Sequence, residues 1–329
     1  MPKNRQKSNI LSIQFICIIY LRFLCLRDII KAMRIDETLT KKRTLSFEVF
    51  PPKKAETETG KLFETIEKLK DLHPDFISVT YGASGSNSRN AAEIAGYIKS
   101  VGVEPLAHLT GGPSSPKDID AAAKHFCDLG VENVLALRGD KPVGFEQEYC
   151  KHFAHATDLM RYIEKYGFTL GGACYPEGHQ ECDTLYDDLV NMKKKESSGA
   201  KFFITQLFYD NSYYYRLVNE ARKIGITAPI IPGIMPLVSA KNIKNIKNMC
   251  GSAIPLEFRN MIEIYSGDTE VMREIGLSYA VYQIIDLIAK GAPGIHLYIM
   301  NNFATAEAIC TRLQRLFDKF FGVGNGVKA

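Results

Sequence analysis

Eight cysteines are scattered along this 329-residue chain, and no two of them form a C-x-x-C pair. In a chain this long, that excludes a zinc ribbon or a disulfide framework and points to reduced thiols in a cytoplasmic protein. No G-x-S-x-G elbow occurs, which removes the hydrolase nucleophile turn. G-x-G-x-x-G is missing after the first strand-like run, so an open sheet that binds a dinucleotide lacks its phosphate turn. Long apolar runs are missing from the basic leader too. Its uncharged stretch, Ser8–Leu21, has 14 residues before Arg22 interrupts it, against the ~20 that a spanning helix needs. Tryptophan is absent, which excludes nothing.

An excess of charge of one sign is also lacking in the body of the chain. The formal charge is +4, but the seven Lys/Arg of residues 1–34 against Asp28 contribute +6, leaving −2 for residues 35–329. A body so near neutrality carries no broad nucleic-acid footprint. The leader, 1–32, has the basic and apolar parts of a signal peptide but no clear small-residue cleavage site. Our expectation is that Met33 begins the folded chain and that 1–32 lies outside the fold, with an interfacial anchor as the alternative and no membrane partner expected.

What is present is a rhythm. Apolar, β-rich runs occur at 45–50, 76–81, 105–109, 134–137, 169–175, 202–208, 230–234 and 295–300. Helical patterns separate them at 60–72, 88–100, 116–129, 156–166, 184–198, 212–224 and 240–250; a longer helical region covers 258–290, and a last helix covers 304–320. Gly130, Gly167, Gly199 and Gly225 each stand where a helix should stop. Continuous apolar strands with helical crossovers imply a parallel sheet buried on both faces. Eight such units predict a (β/α)8 TIM barrel over 33–329, a single domain with an added helical insertion before the eighth strand. An open doubly wound sheet is the alternative.

In a barrel the chemistry lies at the C-terminal strand ends. Here those ends carry Glu48, Thr80, Tyr81, His108, Arg138, Asp140, Tyr175, Glu177, His179, Gln206, Tyr298, Asn301 and Asn302. His108 has no His-x-His partner and no end carries a Lys, so neither a metal hydrolase nor a Schiff-base aldolase fits. A site rich in hydrogen-bonding groups, without metal ligands, suits a tightly held organic cofactor. Glu48 sits among Phe47, Val49 and Phe50. A carboxylate there is either paired with a Lys or Arg, the commoner arrangement, or kept protonated as a general acid. The helix at 184–198 runs from Asp187 and Asp188 through Asn191 to Lys193, Lys194 and Lys195. A solvated face with i,i+4 pairs accounts for it, and so does binding of a diphosphate and ribose.

Seven motifs, FEVFPP, SVTYGASGS, PLAHLT, LALRGD, CYPEGH, ITQLFYD and IIPGIMP, follow one another between about Leu45 and Cys310. Together they resemble the methylenetetrahydrofolate reductase family of the bacterial type. The resemblance implies a barrel that binds FAD and reduces 5,10-methylenetetrahydrofolate to 5-methyltetrahydrofolate with NADH or NADPH, in two half-reactions at one flavin face. It implies that Glu48 is the general acid toward folate N10 and that Asp140 is the carboxylate near flavin and pterin. Thr80 and Gln206 match residues on the face shared by nicotinamide and folate. Tyr81, Ala83, His108, Arg138, Gly139, Ala156, Tyr175, His179, Asp188, Asn191 and Lys195 match flavin contacts. Lys194 stands where an Arg is common, and Cys182 replaces a small residue near the adenine. Asn242, Tyr298 and Asn302 fall at folate contacts, Asn302 where some members hold the tail with an Arg. The alternatives are an FAD-binding barrel subunit of a larger electron-transfer complex, and a flavin-free pterin-binding carrier or methyltransferase barrel. A homo-oligomer or an electron-transfer partner stays open.

The separate composition of the leader carries a first expected result. A chain beginning at Met33 should keep its bound flavin and its melting temperature, and loss of either on truncation would place the leader inside the fold.

Overall fold

Backbone hydrogen bonds join every strand to its neighbours in parallel. The computed structural model describes residues 33–52, 55–81, 88–140, 149–239 and 252–322. The leader, Ala83, Asn242 and the predicted helix at 240–250 lie outside the described residues. Strands β1 (Thr44–Val49), β2 (Phe76–Val79), β3 (Glu104–Thr110), β4 (Asn133–Leu137), β5 (Thr169–Cys174) and β6 (Ala200–Thr205) pair in chain order. The predicted strand at 230–234 is present as two short pieces, β7 (Ile230–Ile231) and β8 (Gly233–Ile234). Pro232 divides them because it has no N–H to give the ladder. β7 pairs with β6, and β8 pairs with β9 (Gly294–Tyr298), which returns to β1. One five-residue stretch thus joins both edges and closes the (β/α)8 barrel.

The helices follow the strands as their start and stop signals require. They are α1 (Ile35–Lys41), α2 (Ala55–Lys70), α3 (Ser88–Ser100), α4 (Pro116–Asp128), α5 (Ala156–Ile163), α6 (Leu185–Ser197), α7 (Asn211–Lys223), α8 (Leu256–Tyr265), α9 (Thr269–Ala289) and α10 (Phe303–Phe321). Ser115 caps α4, with Asp118 returning the bond to the Ser115 N–H at 2.9 Å and Pro116 in the first turn, a reciprocal cap. The glycines expected to stop helices all have positive φ, from 72° at Gly130 to 107° at Gly199. The long helical region before the last strand divides into α8 and α9, where Asp268 caps the second helix through the N–H groups of Glu270 and Val271. α8 lies on α9 through Phe258, whose ring stacks on Tyr279 at 3.8 Å.

Strand alternation sorts the core into two shells. Outward residues such as Leu45, Phe47, Ile77, Val79, Ala107 and Leu109 meet the helices. Inside the barrel, Phe76, Leu106, Leu135, Phe202, Ile204 and Ile231 form one cluster. Each such side chain, fully buried, contributes about 1.5–3 kcal/mol. Gly171 keeps this interior open, since a Cβ there would lie 2.7 Å from the Phe202 ring.

The interior cluster also includes Ile35. It belongs to α1, a helix that the sequence reading did not include and that plugs the N-terminal mouth of the barrel. The Ile35 N–H donates to Asn133 Oδ1 at 3.0 Å, and Asn133 Nδ2 donates to Glu104 Oε1 at 2.7 Å. Glu104 is 5% exposed and receives Lys99 Nζ at 2.8 Å. Burial outweighs Lys99 and Asn133 and raises the Glu104 carboxyl from its ordinary range to about 7. A folded-state value above the unfolded one stabilises the protein at low pH, and that stability is lost as pH rises through the folded value. Between pH 4.5 and 7 this one group should cost roughly 3 kcal/mol of unfolding free energy. Urea midpoints at pH 5 and pH 8 should therefore converge in Glu104→Gln relative to wild type. An unchanged difference between the two pH values would mean that Glu104 is already ionised at pH 5.

Candidate active site at the C-terminal mouth

Polarity inside the barrel rises toward the C-terminal strand ends. Above the apolar cluster, His296 lies between Ser46 Oγ, 2.8 Å from Nδ1, and Ser78 Oγ, 3.4 Å from Nε2. Its ring stacks on Phe76 and meets Tyr298 edge-on at 5.1 Å. None of Ser46, Ser78 and His296 was singled out from the sequence, which was read only at the strand ends. The available signal was period two: Ser46 and His296 precede Glu48 and Tyr298 by two residues and share their inward face.

Glu48 forms the next layer. It is 6% exposed, and its Oε2 lies 3.5 Å from His108 Nε2. Burial drives the His108 imidazole down to about 4, outweighing the pull of Glu48, with His296 pushing it further down. His108 is therefore neutral at pH 7 and is no counter-ion. Its Nε2 is buried without a hydrogen-bond partner among the described residues. The Lys or Arg partner that would make Glu48 structural does not appear among those residues. Arg138, the arginine among the strand-end residues, instead places both ends of its fork on Glu181 at 2.6 and 2.7 Å.

The exits of β1 and β9 are held together beside this carboxylate. Asn301 accepts from the Phe50 N–H at 2.8 Å and donates to the Phe50 carbonyl at 2.9 Å. Its φ of 58° and the 52° of Met300 are left-handed values that Asn tolerates better than most residues. The Tyr298 hydroxyl donates to the Thr205 carbonyl at 2.7 Å, and its ring fills the space that a side chain at position 233 would need. Gln206 accepts from the Leu207 N–H at 2.9 Å. Thr80 and Tyr81 are half-buried at the exit of β2. Asn302 is exposed and caps α10 through the Thr305 N–H.

A second cluster joins the exits of β4 and β5 to α6. Tyr175 and His179 meet edge-on at 4.6 Å. The His179 N–H donates to Asp188 Oδ2 at 3.2 Å, and His179 Nδ1 accepts from the Glu181 N–H at 3.1 Å, so a neutral ring carries its proton on Nε2. Lys195 Nζ donates to the Ala173 carbonyl at 2.8 Å and lies 5.7 Å from the centre of the Tyr175 ring. Burial raises the Asp188 carboxyl against Lys195 and His179, lowers the Lys195 ammonium against Asp188, and raises the Tyr175 phenol. On the outer side of α6 the i,i+4 pairs are not made. Asn191 Oδ1 receives the exposed Lys194 at 3.2 Å, Asn191 Nδ2 lies 3.7 Å from Cys182 Sγ, and Asp187 serves the cap residue Thr184. A cavity of about 330 Å³ opens beside His179, Cys182 and Thr184.

Asp140 and Gly139 stand between the two clusters. Gly139 has φ 88°, and a Cβ there would run into Thr110 Cγ2 and the Tyr149 hydroxyl. Asp140 is exposed, and its charge adds to burial in raising the Tyr149 phenol to about 12. Ala156 is buried at the start of α5, where the His155 N–H is capped by Asp158 at 2.9 Å.

Comparison with known proteins decides the family. The family model for methylenetetrahydrofolate reductase matches residues 33–314. The chain belongs to that family. It is 36% identical over 285 residues to methylenetetrahydrofolate reductase (NADH) 1 of Arabidopsis thaliana, covering 82% of this chain and 48% of the plant protein. It is 34% identical over 271 residues to 5,10-methylenetetrahydrofolate reductase of Escherichia coli K12, covering 82% and 90% of the two chains. The chain thus spans about half the length of the plant relative and most of the bacterial one. A solved protein of Clostridium thermocellum, described as binding two copies of 5-methyl-5,6,7,8-tetrahydrofolic acid, superposes with TM-score 0.60 at 17% identity. That match covers 86% of this chain and 99% of the other, a likeness of fold alone.

In this member of the methylenetetrahydrofolate reductase family, the second cluster has the donor set for an organic dinucleotide. Lys195 offers positive charge, and Asp188 and Asn191 offer partners for hydroxyls, whereas the Arg138 fork is held by Glu181. His108 Nε2, without a hydrogen-bond partner among the described residues, could meet a ring laid across the mouth. Among the described residues no three His, Cys, Asp or Glu side chains gather to hold a metal, and no helix is long and apolar enough to cross a membrane.

Proposed function

We propose that this barrel reduces 5,10-methylenetetrahydrofolate to 5-methyltetrahydrofolate with NADH or NADPH through bound FAD. The observation that carries the reading is Glu48, a buried carboxylate at the exit of β1 whose nearest titratable neighbour is a neutral histidine. With no Lys or Arg holding it among the described residues, such a group is open to a bound substrate as a general acid, which an ion-paired carboxylate is not. Membership of the family supports the same reaction.

In this reading Glu48 protonates folate N10, the imidazolidine ring opens, and an iminium forms at N5. Asp140 favours that cation by its charge. Arg138, Gly139, His179, Asp188, Asn191 and Lys195 would hold FAD, with Thr80, Tyr81, His108, Ala156 and Tyr175 against its rings. Bound FAD supplies the relay that takes a hydride from NAD(P)H and gives it to the folate methylene carbon. Gln206 and Tyr298 line the face where folate lies, and Asn302 stands at its tail. The reaction balances as one hydride from the nicotinamide and one proton from Glu48. The five described cysteines are in the thiol form, in keeping with the reducing, cytoplasmic setting we propose.

The test is the absorption spectrum of the purified chain, followed by stopped-flow mixing. A flavin band bleached by NADH and restored by methylenetetrahydrofolate is the expected result. A colourless protein would favour a flavin-free pterin carrier. A flavin that NADH leaves oxidised would favour a subunit reduced by a partner protein.

A further inference from the structure

A second cavity, of about 380 Å³, lies between α7, with the loop that leads into it from β6, and α9. Its walls include Tyr215, Tyr279 and Tyr282, and its floor includes Gln283, Asp286 and Lys290. Tyr282 is 66% exposed at the rim, whereas Gln283 is 2% exposed below it. Gln283 spends its N–H groups on the Phe208 carbonyl and on Asn211 Oδ1, each at 3.2 Å. Neither bond uses its amide oxygen.

One cation already sits here. Lys290 Nζ lies 4.2 Å from the centre of the Tyr215 ring and 3.0 Å from Asp286 Oδ1. The other oxygen of Asp286 accepts from Asn211 at 2.8 Å and from the Tyr215 hydroxyl at 2.6 Å. Burial works against the charge of Asp286, yet these bonds and Lys290 outweigh it and hold the carboxyl below its ordinary range. The carboxylate is therefore charged and rigidly aimed, and only its Lys290 side is held by an exposed, flexible partner. An exposed ion pair of that kind adds little stability, so a better cation can take its place. With Asp210 also on the wall, the lining carries one more negative than positive charge, which disfavours phosphate.

We infer that this cavity is a binding site for a small organic cation with a planar amidinium or guanidinium head, which stacks on the tyrosine rings and replaces Lys290 on Asp286. A planar fork suits the carboxylate edge better than an ammonium does, and it stacks on an aromatic face. The site would take its ligand independently of the flavin and folate at the mouth.

Benzamidine is the probe, with benzoate as its anionic counterpart of the same shape. Isothermal titration of the full chain should show one saturable benzamidine site and no benzoate binding. Lys290→Ala removes the internal competitor and should tighten benzamidine by about two- to fivefold. Tyr282→Ala removes a stacking face and should weaken it by a similar factor. Lys290 and Tyr282 are both exposed, so neither change threatens folding, and a melting curve checks that. Absence of saturable benzamidine binding would overturn the inference. So would equal binding of benzoate, or an affinity that neither substitution moves.

Discussion

Glu48→Gln is expected to slow methylenetetrahydrofolate reduction by about 10²–10⁴-fold while flavin reduction by NADH stays within about tenfold of wild type. Hydride transfer from nicotinamide to flavin needs no acid, whereas opening the folate ring needs a proton at N10. Gln keeps the size of Glu48 but cannot give that proton. The surroundings of Glu48 sharpen the expectation. Had it paired with a buried Lys or Arg, removing its charge would strand a cation and cost about 3–5 kcal/mol. Its neighbour is instead His108, held neutral by burial, and Arg138 is satisfied by Glu181. The melting temperature of the variant should therefore change little. Single-turnover kinetics of each half-reaction beside a melting curve makes the test. Near wild-type folate reduction would remove Glu48 from the mechanism, and a large loss of stability with both half-reactions impaired would make it structural.

Asp140→Asn should leave the barrel folded and slow the folate half-reaction by roughly 30- to 1000-fold. That is what removing one oriented charge from such a site, worth ~2–4 kcal/mol, amounts to. Flavin reduction by NADH should not slow. In the proposed reaction the carboxylate would favour the iminium cation but oppose negative charge building on the reduced ring, so its two effects would differ in sign. Asp140 is exposed and follows the end of β4, which leaves little for it to do in holding the core. Stopped-flow rates measured separately with NADH and with folate decide the matter. Equal losses in both halves would falsify a charge role and leave a structural one.

Much of the barrel is written locally. The strands at 44–49, 76–79, 104–110, 133–137 and 169–174 follow from runs of β-branched and apolar residues, and a sheet buried on both faces needs nothing subtler. Helix ends at Gly130, Gly167, Gly199 and Gly225 follow from the left-handed backbone that only glycine adopts without strain. The short helix α1 escaped because seven residues, with Ile35 and Leu39 as their only apolar side chains, are too few to show a period. What it buries, Ile35, has meaning only once Phe76, Leu106 and Phe202 surround it.

The site divides in the same way. Residue types and their order along the chain determined by themselves that Glu48, His108, Arg138, Asp140 and Tyr175 lie at strand ends, because strand polarity is a local property and a parallel barrel sends every such end to one mouth. Pairing was decided only by the tertiary structure. Arg138 meets Glu181, 43 residues on, rather than Glu48, and His296 bonds Ser46 across 250 residues. Closure likewise required Pro232 to separate two short strands that face different neighbours. Such contacts depend on register and on which side chains share a layer, and a shift of one residue would turn every one of them to the opposite face of the sheet.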